Sequence, residues 1–585
     1  RMEQKEACPG TRNRRACWLP AMGLVTLLYL CLLLFGADIR FGGNDDSGIM
    51  RAFLGYETGE IPTFHIFLHA VLVYPLRWLS LAFPLVPWFS VLQIALLWLS
   101  CTVAVKSVLQ CFCGHPRWAG LLASVLFLIA FAMAYCCQIT FTVTAALLGT
   151  AAVMQILSID YAAASDGAVV RGMALALLLV VLAYALRQIT ALPILAFCAL
   201  AFLLLWTLRF HAGRRGAKPF LWSLAMVLLV MGGLMAQREW DIDRNQMREH
   251  LAWQDATANV IDYVGTKGVS PETFEALGWS EAERQMVDLW YMLDENITVE
   301  AFDRIYAERL SQLDQSFAGR ARFTINTLAE FVRTEKLAMR TVWLLLAAAA
   351  ICFIGLGGHP KNKRWLGLCI GASLLLSLLL LCYLGSKGRM PLRAALMVLL
   401  PMAGMLVCLL PACLTPKAKG LRLAARAAGL CLCAALALWY AVPQAKALAP
   451  MAYEPGEEIN VYADLFEYAL DNPDKLIIYD LTLSGDTRLF PDLSHGVPHN
   501  LLFWGGWTAR SPAVLQQMEA FGIDGSHFTA ADFLRENVCF ASGVLDPGPE
   551  TLLAYLRAEL GDEIDYMNDS DWGGVHTFTF YSLAE

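Results

Sequence analysis

A mainly α-helical, polytopic transmembrane bundle of about eleven spans, with a helical outer loop region and a small α/β domain at its C-terminal end, is the fold class this sequence predicts. Three observations predict it. Of 585 residues, 57% are hydrophobic and only 16% are charged, whereas a soluble domain carries roughly 25% charged residues. Apolar runs of about 18 to 22 residues with almost no charge recur along the chain. The polar residues gather instead in two long segments, 237–340 and 444–585. Together these features exclude a disordered chain, a coiled coil and an ordinary cytosolic enzyme. A net charge of −7 and an isoelectric point near 5.9 argue against nucleic acid as a partner.

Arg12, Arg14 and Arg15 precede the first apolar run, Trp18–Phe35. The run is too long for a signal-peptide core and lacks a clear cleavage site. It reads as a retained signal anchor with the N-terminus in the cytoplasm. The first outer loop then occupies 36–86. Within it, Phe64–Phe83 is apolar but contains His65, His69, Pro75 and Arg77, and only Pro84-Leu85-Val86 separates it from the next run. Its length suits a span, yet the later loops favour an amphipathic or re-entrant helix at the outer interface. In that register the loops carrying Lys106 and Arg117, Arg171, Arg209 to Lys218, Lys361 to Arg364 and Lys417 to Arg426 all face the cytoplasm. The opposite register would expose every one of them against the positive-inside bias.

The remaining spans are Pro87–Val105, Trp118–Cys136, Phe141–Ile159, Arg171–Leu186, Ile189–Leu208, Phe220–Ala236, Thr341–Leu356, Trp365–Leu384, Pro391–Leu410 and Leu423–Val442. This order puts the C-terminal segment outside a plasma membrane. It divides the chain into a membrane domain, 1–443, and an extracytoplasmic domain, 444–585. Most of the 17 cysteines, including Cys31, Cys101, Cys198, Cys369, Cys382, Cys408, Cys431 and Cys433, lie in apolar runs, where they act as small hydrophobes. Only Cys539 falls in the C-terminal polar segment, so no disulfide framework is expected there.

The outer loop 237–340 reads as helical, with a helix start at Ser270-Pro271-Glu272-Thr273, where proline suits the first helical position. In the C-terminal segment, Val461–Leu470 is helix-like, Asp471-Asn472-Pro473-Asp474 is a turn, Lys475–Asp480 is a strand and Ser511–Phe521 is a second helix.

The residues that could carry chemistry begin with Gly42-Gly43-Asn44-Asp45-Asp46-Ser47-Gly48, just past the first span. Adjacent carboxylates hold a divalent cation such as Mg²⁺ or Mn²⁺, or divide the work of a general base and its support. The plain structural alternative is a helix cap by Asp45 or Asp46. A second constellation is Gly385-Ser386-Lys387-Gly388-Arg389-Met390-Pro391-Leu392-Arg393. Its cations face outside, against the charge bias. Lys387, Arg389 and Arg393 there would suit a phosphate ligand, or else contact lipid headgroups. Arg187 between two apolar runs is a third candidate for phosphate, or an interfacial anchor. His65 and His69 have the i, i+4 spacing of metal ligands but lack further partners. The stretch His499–Trp507 offers either a sugar-stacking surface or, by preference, packing of the C-terminal domain onto the membrane part.

The order of these features resembles the C-type glycosyltransferase (GT-C) superfamily. They are a basic N-terminus, one span, an outer loop with the Asp45-Asp46 pair, an interfacial helix, further spans and an outer C-terminal domain. The resemblance covers the topology to about residue 443, and its only sharp motif is the acidic pair. It implies that Asp45 and Asp46 carry the base or metal-ligand role. It also implies a membrane glycosyltransferase, inverting at the sugar, whose donor is a sugar on a polyprenyl phosphate or pyrophosphate. The acceptor would be an envelope glycan, lipid or protein, as in polysaccharide biosynthesis. Lys387, Arg389, Arg393 and Arg187 would then bind the donor phosphate. A polysaccharide polymerase or ligase, a lipid-glycan transporter and a non-catalytic relative remain the alternatives.

Overall fold

The computed structural model describes residues 17–336, 363–413 and 461–583 apart from short gaps, and isolated residues within 342–350 and 431–439. Arg12, Arg14 and Arg15 lie outside the described residues, and the expected spans at Thr341–Leu356 and Leu423–Val442 lie for the most part outside them.

The chain enters through α1 (Trp18–Leu34), then β1 (Arg40–Phe41), α2 (Asn44–Leu54), α3 (Ala70–Ala82) and α4 (Trp88–Cys111). It continues through α5 (Arg117–Phe131), α6 (Met133–Cys137), β2 (Gln138–Ile139), α7 (Phe141–Leu157), α8 (Asp166–Leu186), α9 (Ala191–His211) and α10 (Lys218–Arg244). The helical region that the sequence reading takes as the outer loop follows: α11 (Arg248–Thr257), a π-helical stretch Ala258–Val264, α12 (Pro271–Leu277), α13 (Glu281–Asp288), α14 (Val299–Ser311) and α15 (Phe317–Thr334). Then come α16 (Lys363–Gly385) and α17 (Leu392–Cys413). Among the described residues, six helices are long and apolar enough to cross a membrane, namely α4, α8, α9, α10, α16 and α17; α1, α3, α5 and α7 are apolar but shorter.

The bundle is built around α7, which is buried from Phe141 to Ile156 and packs against α4, α8, α9 and α17. Small residues make this possible. A side chain at Gly149 would sit 2.3 Å from Ile194 on α9, and one at Gly404 would meet Thr150 and Met154 at 2.7 and 2.8 Å. Without a hydrophobic effect between helices in lipid, such close backbone approach supplies the packing energy.

The segment 64–83 does not form one helix. Helix α3 starts only at Ala70, because the His69 ring accepts a hydrogen bond from Val71 N–H and caps it. His69 N–H also donates to Ala185 O at the end of α8. After α3, Ser90 Oγ donates to Leu489 O of the C-terminal domain at 2.7 Å, and Phe89 stacks on Phe41 at 6.0 Å. The start of α3 is therefore tied to α8, and the residues that follow its end are tied to the C-terminal domain and β1.

The opposite end of the bundle holds buried cations. Lys106 donates to Gln155 Oε1, and Arg209 pairs with Asp166 at 2.9 Å.

The C-terminal domain contains α18 (Val461–Asp471), β3 (Leu476–Tyr479), β4 (Leu501–Phe503), α19 (Pro512–Ala520), β5 (Val538–Ser542), α20 (Gly548–Leu560), β6 (Ile564–Trp572) and β7 (Val575–Ser582). Its sheet runs β4-β3-β5-β7-β6. The β4, β3 and β5 strands are parallel, and β7 and β6 are antiparallel. One hydrophobic core joins this domain to the outer helices: Trp253, Tyr291 and Phe302 pack with Trp504, Phe540 and Tyr555. The two polar segments of the sequence are thus two chain pieces around one core.

Candidate active site

The Gly-Gly sequence before the acidic pair has a steric origin. Strand β1 pairs in parallel with β2 through Arg40 and Phe41, and Gly42 N–H donates to Ile139 O at 2.8 Å. A side chain at Gly42 would come 2.8 Å from the Thr140 methyl group, so only glycine allows this approach. Gly43 is the N-cap of α2 and has no side chain to offer as a cap. A Cβ placed there would lie 3.7 Å from Asp46 Oδ2 and 3.8 Å from Arg393 Nη1.

Consecutive helical residues point about 100° apart, and this separates the two acids. Asp46 is fully buried. Its Oδ1 accepts a hydrogen bond from Phe141 N–H at 2.6 Å, while Thr140 Oγ1 accepts from Val143 N–H at 3.3 Å. Together they satisfy two of the orphan donors at the start of α7. Burial holds the Asp46 carboxyl well above the usual carboxylate range, with Asp45 adding to the rise and the Phe141 N–H, Arg393 and Arg187 opposing it. The cap foreseen for one of these acids therefore exists, but on α7 rather than on the helix that carries them.

Asp45 keeps 30% of its side chain exposed, and its Oδ2 accepts from Arg393 Nη1 at 3.1 Å. The Arg187 guanidinium lies over the Phe67 and Phe141 rings at 4.5 and 4.8 Å. Burial lowers the Arg187 pKa to about 10, partly offset by Asp45. Arg389 forms an ion pair with Asp262 on the π-helical stretch. Burial and the neighbouring Arg393 both lower the Arg389 pKa, and Asp45 opposes them. Asp45, Arg187, Arg389 and Arg393 thus form one half-open electrostatic cluster. Lys387 stands apart: it is exposed, with its ammonium 5.8 Å from the centre of the Tyr383 ring.

Asp46 Oδ1 is turned to the α7 backbone, Asp45 pairs with Arg393, and the described residues contain no group of three or more His, Cys, Asp or Glu side chains able to hold a metal. His65 and His69 do not share a helix face either. His65 Nδ1 accepts from Phe67 N–H at 3.1 Å and Leu68 N–H at 3.4 Å. Burial, with Arg238 and Arg187 nearby, lowers its pKa to about 3, so the ring is neutral with its proton on Nε2. His69 Nε2 bonds to Leu234 O at 2.9 Å. The Arg238 guanidinium fixes this turn by donating to His65 O, Leu68 O and Ile66 O at 3.0, 3.4 and 2.8 Å.

The C-terminal domain closes one side. Trp507 sits 4.9 Å from His65 and 5.4 Å from Phe67, and a Cβ at Gly48 of α2 would be 3.2 Å from its indole. Trp504 is buried and stacks on Phe540 at 5.2 Å. Both tryptophans of the His499–Trp507 stretch serve packing. Two residues near the cluster escaped the sequence: Asp262, which pairs with Arg389, and its neighbour Tyr263, whose backbone faces Gly388. A π-helical turn is a feature that often accompanies functional sites, but nothing in an acid-rich helical loop marks it beforehand.

No family model matches the chain, and no curated protein matches it. Among solved structures, ArnT from Cupriavidus metallidurans in the apo state is similar at TM-score 0.36 and 13% identity, covering 97% of this chain and 99% of that one. The same protein bound to undecaprenyl phosphate is similar at TM-score 0.37 and 13% identity, over 95% and 98%. A likeness of this size decides neither fold nor activity, and the functional reading rests on the residues above.

Proposed function

We propose that the chain is an inverting membrane glycosyltransferase of the GT-C type. It would transfer a sugar from a polyprenyl-phosphate donor to an envelope acceptor at the outer face of the membrane. The observation that carries the reading is the Asp45–Arg393 pair at 3.1 Å, half-exposed at one end of an apolar bundle, with Arg187 and Arg389 beside it. A carboxylate next to guanidinium groups can take a proton from an acceptor hydroxyl as that oxygen attacks the anomeric carbon. The leaving phosphate gains charge in the same step, and Arg393, Arg389 and Arg187 stand where they can bind it. Phosphate on Arg393 would also release Asp45 to act as the base. Asp46 supports the step through α7 and does not touch the reactants. The buried cations Lys106 and Arg209 lie at the far end, and under the positive-inside bias this supports an outer face for the site.

The test is donor turnover that ignores sugar identity. Purified protein is incubated with a bacterial lipid extract, and free polyprenyl phosphate is followed by mass spectrometry for wild type and Asp45→Asn. Release that disappears in the variant, with unchanged thermal stability, supports the reading. Equal release from both removes Asp45 from the mechanism.

A further inference from the structure

Arg389, in the loop between α16 and α17, and Arg393, in the first turn of α17, are each held by a carboxylate from a different part of the chain. Arg393 is held by Asp45 of α2, and Arg389 by Asp262 of the π-helical stretch in the outer region. Arg389 and Arg393 are separated by only Met390-Pro391-Leu392 and each makes an ion pair at the cluster, and the Arg393 charge lowers the Arg389 pKa. Two neighbouring cations of like charge are stable only with counter-anions, and a single phosphoryl group with several acceptor oxygens can serve both. The Asp262–Arg389 pair is built to be exchanged. Its side chains are 32% and 43% exposed, so water and salt already weaken it. Asp262 lies on a seven-residue π-helical stretch in which Val260 is the one buried residue. Gly265, at φ +70°, ends that stretch, and the next residue of the stretch, Tyr263, is 43% exposed. Across from it, Gly388 is left-handed at φ +85°, and its Cβ position lies 3.7 Å from Tyr263 O, so the arginine loop and the π-helical stretch meet backbone to backbone.

We propose that Asp262 is a specificity-determining residue of the phosphate subsite, a clasp that occupies Arg389 until a phosphoryl group bridging Arg389 and Arg393 displaces it and frees the stretch 258–264. This rests on the reading of the cluster as a phosphate site. A carboxylate that must be displaced sets a threshold for anions. A singly charged headgroup that contacts one arginine gains too little to open the clasp. A phosphoryl group that engages both arginines gains enough. The outer region is thereby coupled to the site through one ion pair.

The experiment measures binding of a long-chain polyprenyl phosphate to the full-length protein in detergent, for wild type, Asp262→Asn and Arg393→Ala, with amide hydrogen exchange across 258–264. Asp262→Asn is expected to bind the lipid about two- to fivefold more tightly, the factor set by a half-exposed ion pair. In the wild type the lipid should speed exchange across 258–264, whereas in Asp262→Asn exchange is fast already and the lipid leaves it unchanged. Equal or weaker binding by Asp262→Asn, or no exchange response in the wild type, overturns the clasp. If Arg393→Ala meanwhile loses lipid affinity, the phosphate site itself stands and only the role of Asp262 falls. Absence of saturable lipid binding by the wild type overturns both.

Discussion

The adjacent acids Asp45 and Asp46 should separate cleanly on mutation, one by activity and the other by stability. Asp46→Ala removes the acceptor for Phe141 N–H, a 2.6 Å bond inside a fully buried environment. A buried donor left unpaired costs about 1 to 3 kcal/mol, and loss of a helix cap costs about 0.5 to 2 kcal/mol. These describe the same missing bond, so they are alternatives and not a sum. The expected loss is about 2 kcal/mol. Asp46→Asn should cost less than half of that. Burial raises the carboxyl pKa, so a neutral amide resembles the acid, and its oxygen can still accept from Phe141. Asp45→Asn exchanges a half-exposed partner of Arg393 and should change stability by less than about 1 kcal/mol while abolishing polyprenyl phosphate release. Thermal unfolding in detergent, read beside that release assay, distinguishes the two acids. Asp46→Ala unfolding like wild type would refute the cap, and Asp46→Asn losing all turnover at unchanged stability would make Asp46 a chemical participant after all.

The remaining expectations are independent of that pair. Glu283 is buried, and burial, with Asp294 and Glu559 nearby, raises its pKa from 4.5 to about 8 against the opposing effect of the Ser280 backbone. The folded state therefore binds a proton more tightly than the unfolded state, and stability falls as pH rises from about 4.5 to about 8, by up to about 3 kcal/mol at pH 7. Glu283→Gln should flatten this fall in melting curves taken from pH 5 to 8, and an unchanged slope would remove Glu283 as its source. Arg393→Ala should weaken polyprenyl phosphate binding by about ten- to a hundredfold, the worth of a charged hydrogen bond. Lys387→Ala should stay within about twofold, because its ammonium lies over Tyr383 outside the cluster; equal losses in the two variants would return Lys387 to the site. Gly505→Ala should destabilise the joint between outer helices and C-terminal domain by about 1 to 3 kcal/mol, since its Cβ would lie 1.9 Å from Trp290 O. Limited proteolysis of the outer region reads this directly, and wild-type resistance would count against the collision.

The cationic half of the site was legible because charge is conspicuous in an apolar chain. Arg187, Arg389 and Arg393 stand out against their surroundings, and three distant stretches of sequence do meet. The helix starts at Pro271 and Pro512 and the strand at Leu476 were legible for local reasons, through proline at the first helical turn and a run of β-formers. Helix α2 shows where local reading fails. Asp45 and Asp46 look like a unit in sequence, but neighbouring positions on a helix diverge, and a distant backbone N–H captured one of them. His65 and His69 failed for a related reason: i, i+4 spacing brings two rings together only on an unbroken helix, and His69 is the cap at which this one begins. Asp262 was hidden among many acids of a polar loop. Its partner, Arg389, lies 127 residues further along the chain, an interval that carries no local signal.

The shared core of the two outer segments bears on how the site is held. Trp507 from the C-terminal domain presses on Gly48, His65 and Phe67, and Phe67 in turn lies beneath the Arg187 guanidinium. Gln254 of α11 donates to Trp507 O at 2.8 Å, which fixes that tryptophan to the outer helices. Asp262, a few residues after α11, reaches the other side of the cluster at Arg389. One short stretch of the outer region, 254–262, therefore touches both walls of the site, one through a packed aromatic chain and the other through an exposed ion pair. The aromatic wall is rigid, because rings packed on both faces do not shift without opening a cavity. The ion pair is the wall that can exchange partners. An anion arriving at Arg389 and Arg393 thus meets a site whose floor under Arg187 is fixed and whose roof at Asp262 can yield, which assigns motion on binding to the π-helical stretch and not to the C-terminal domain.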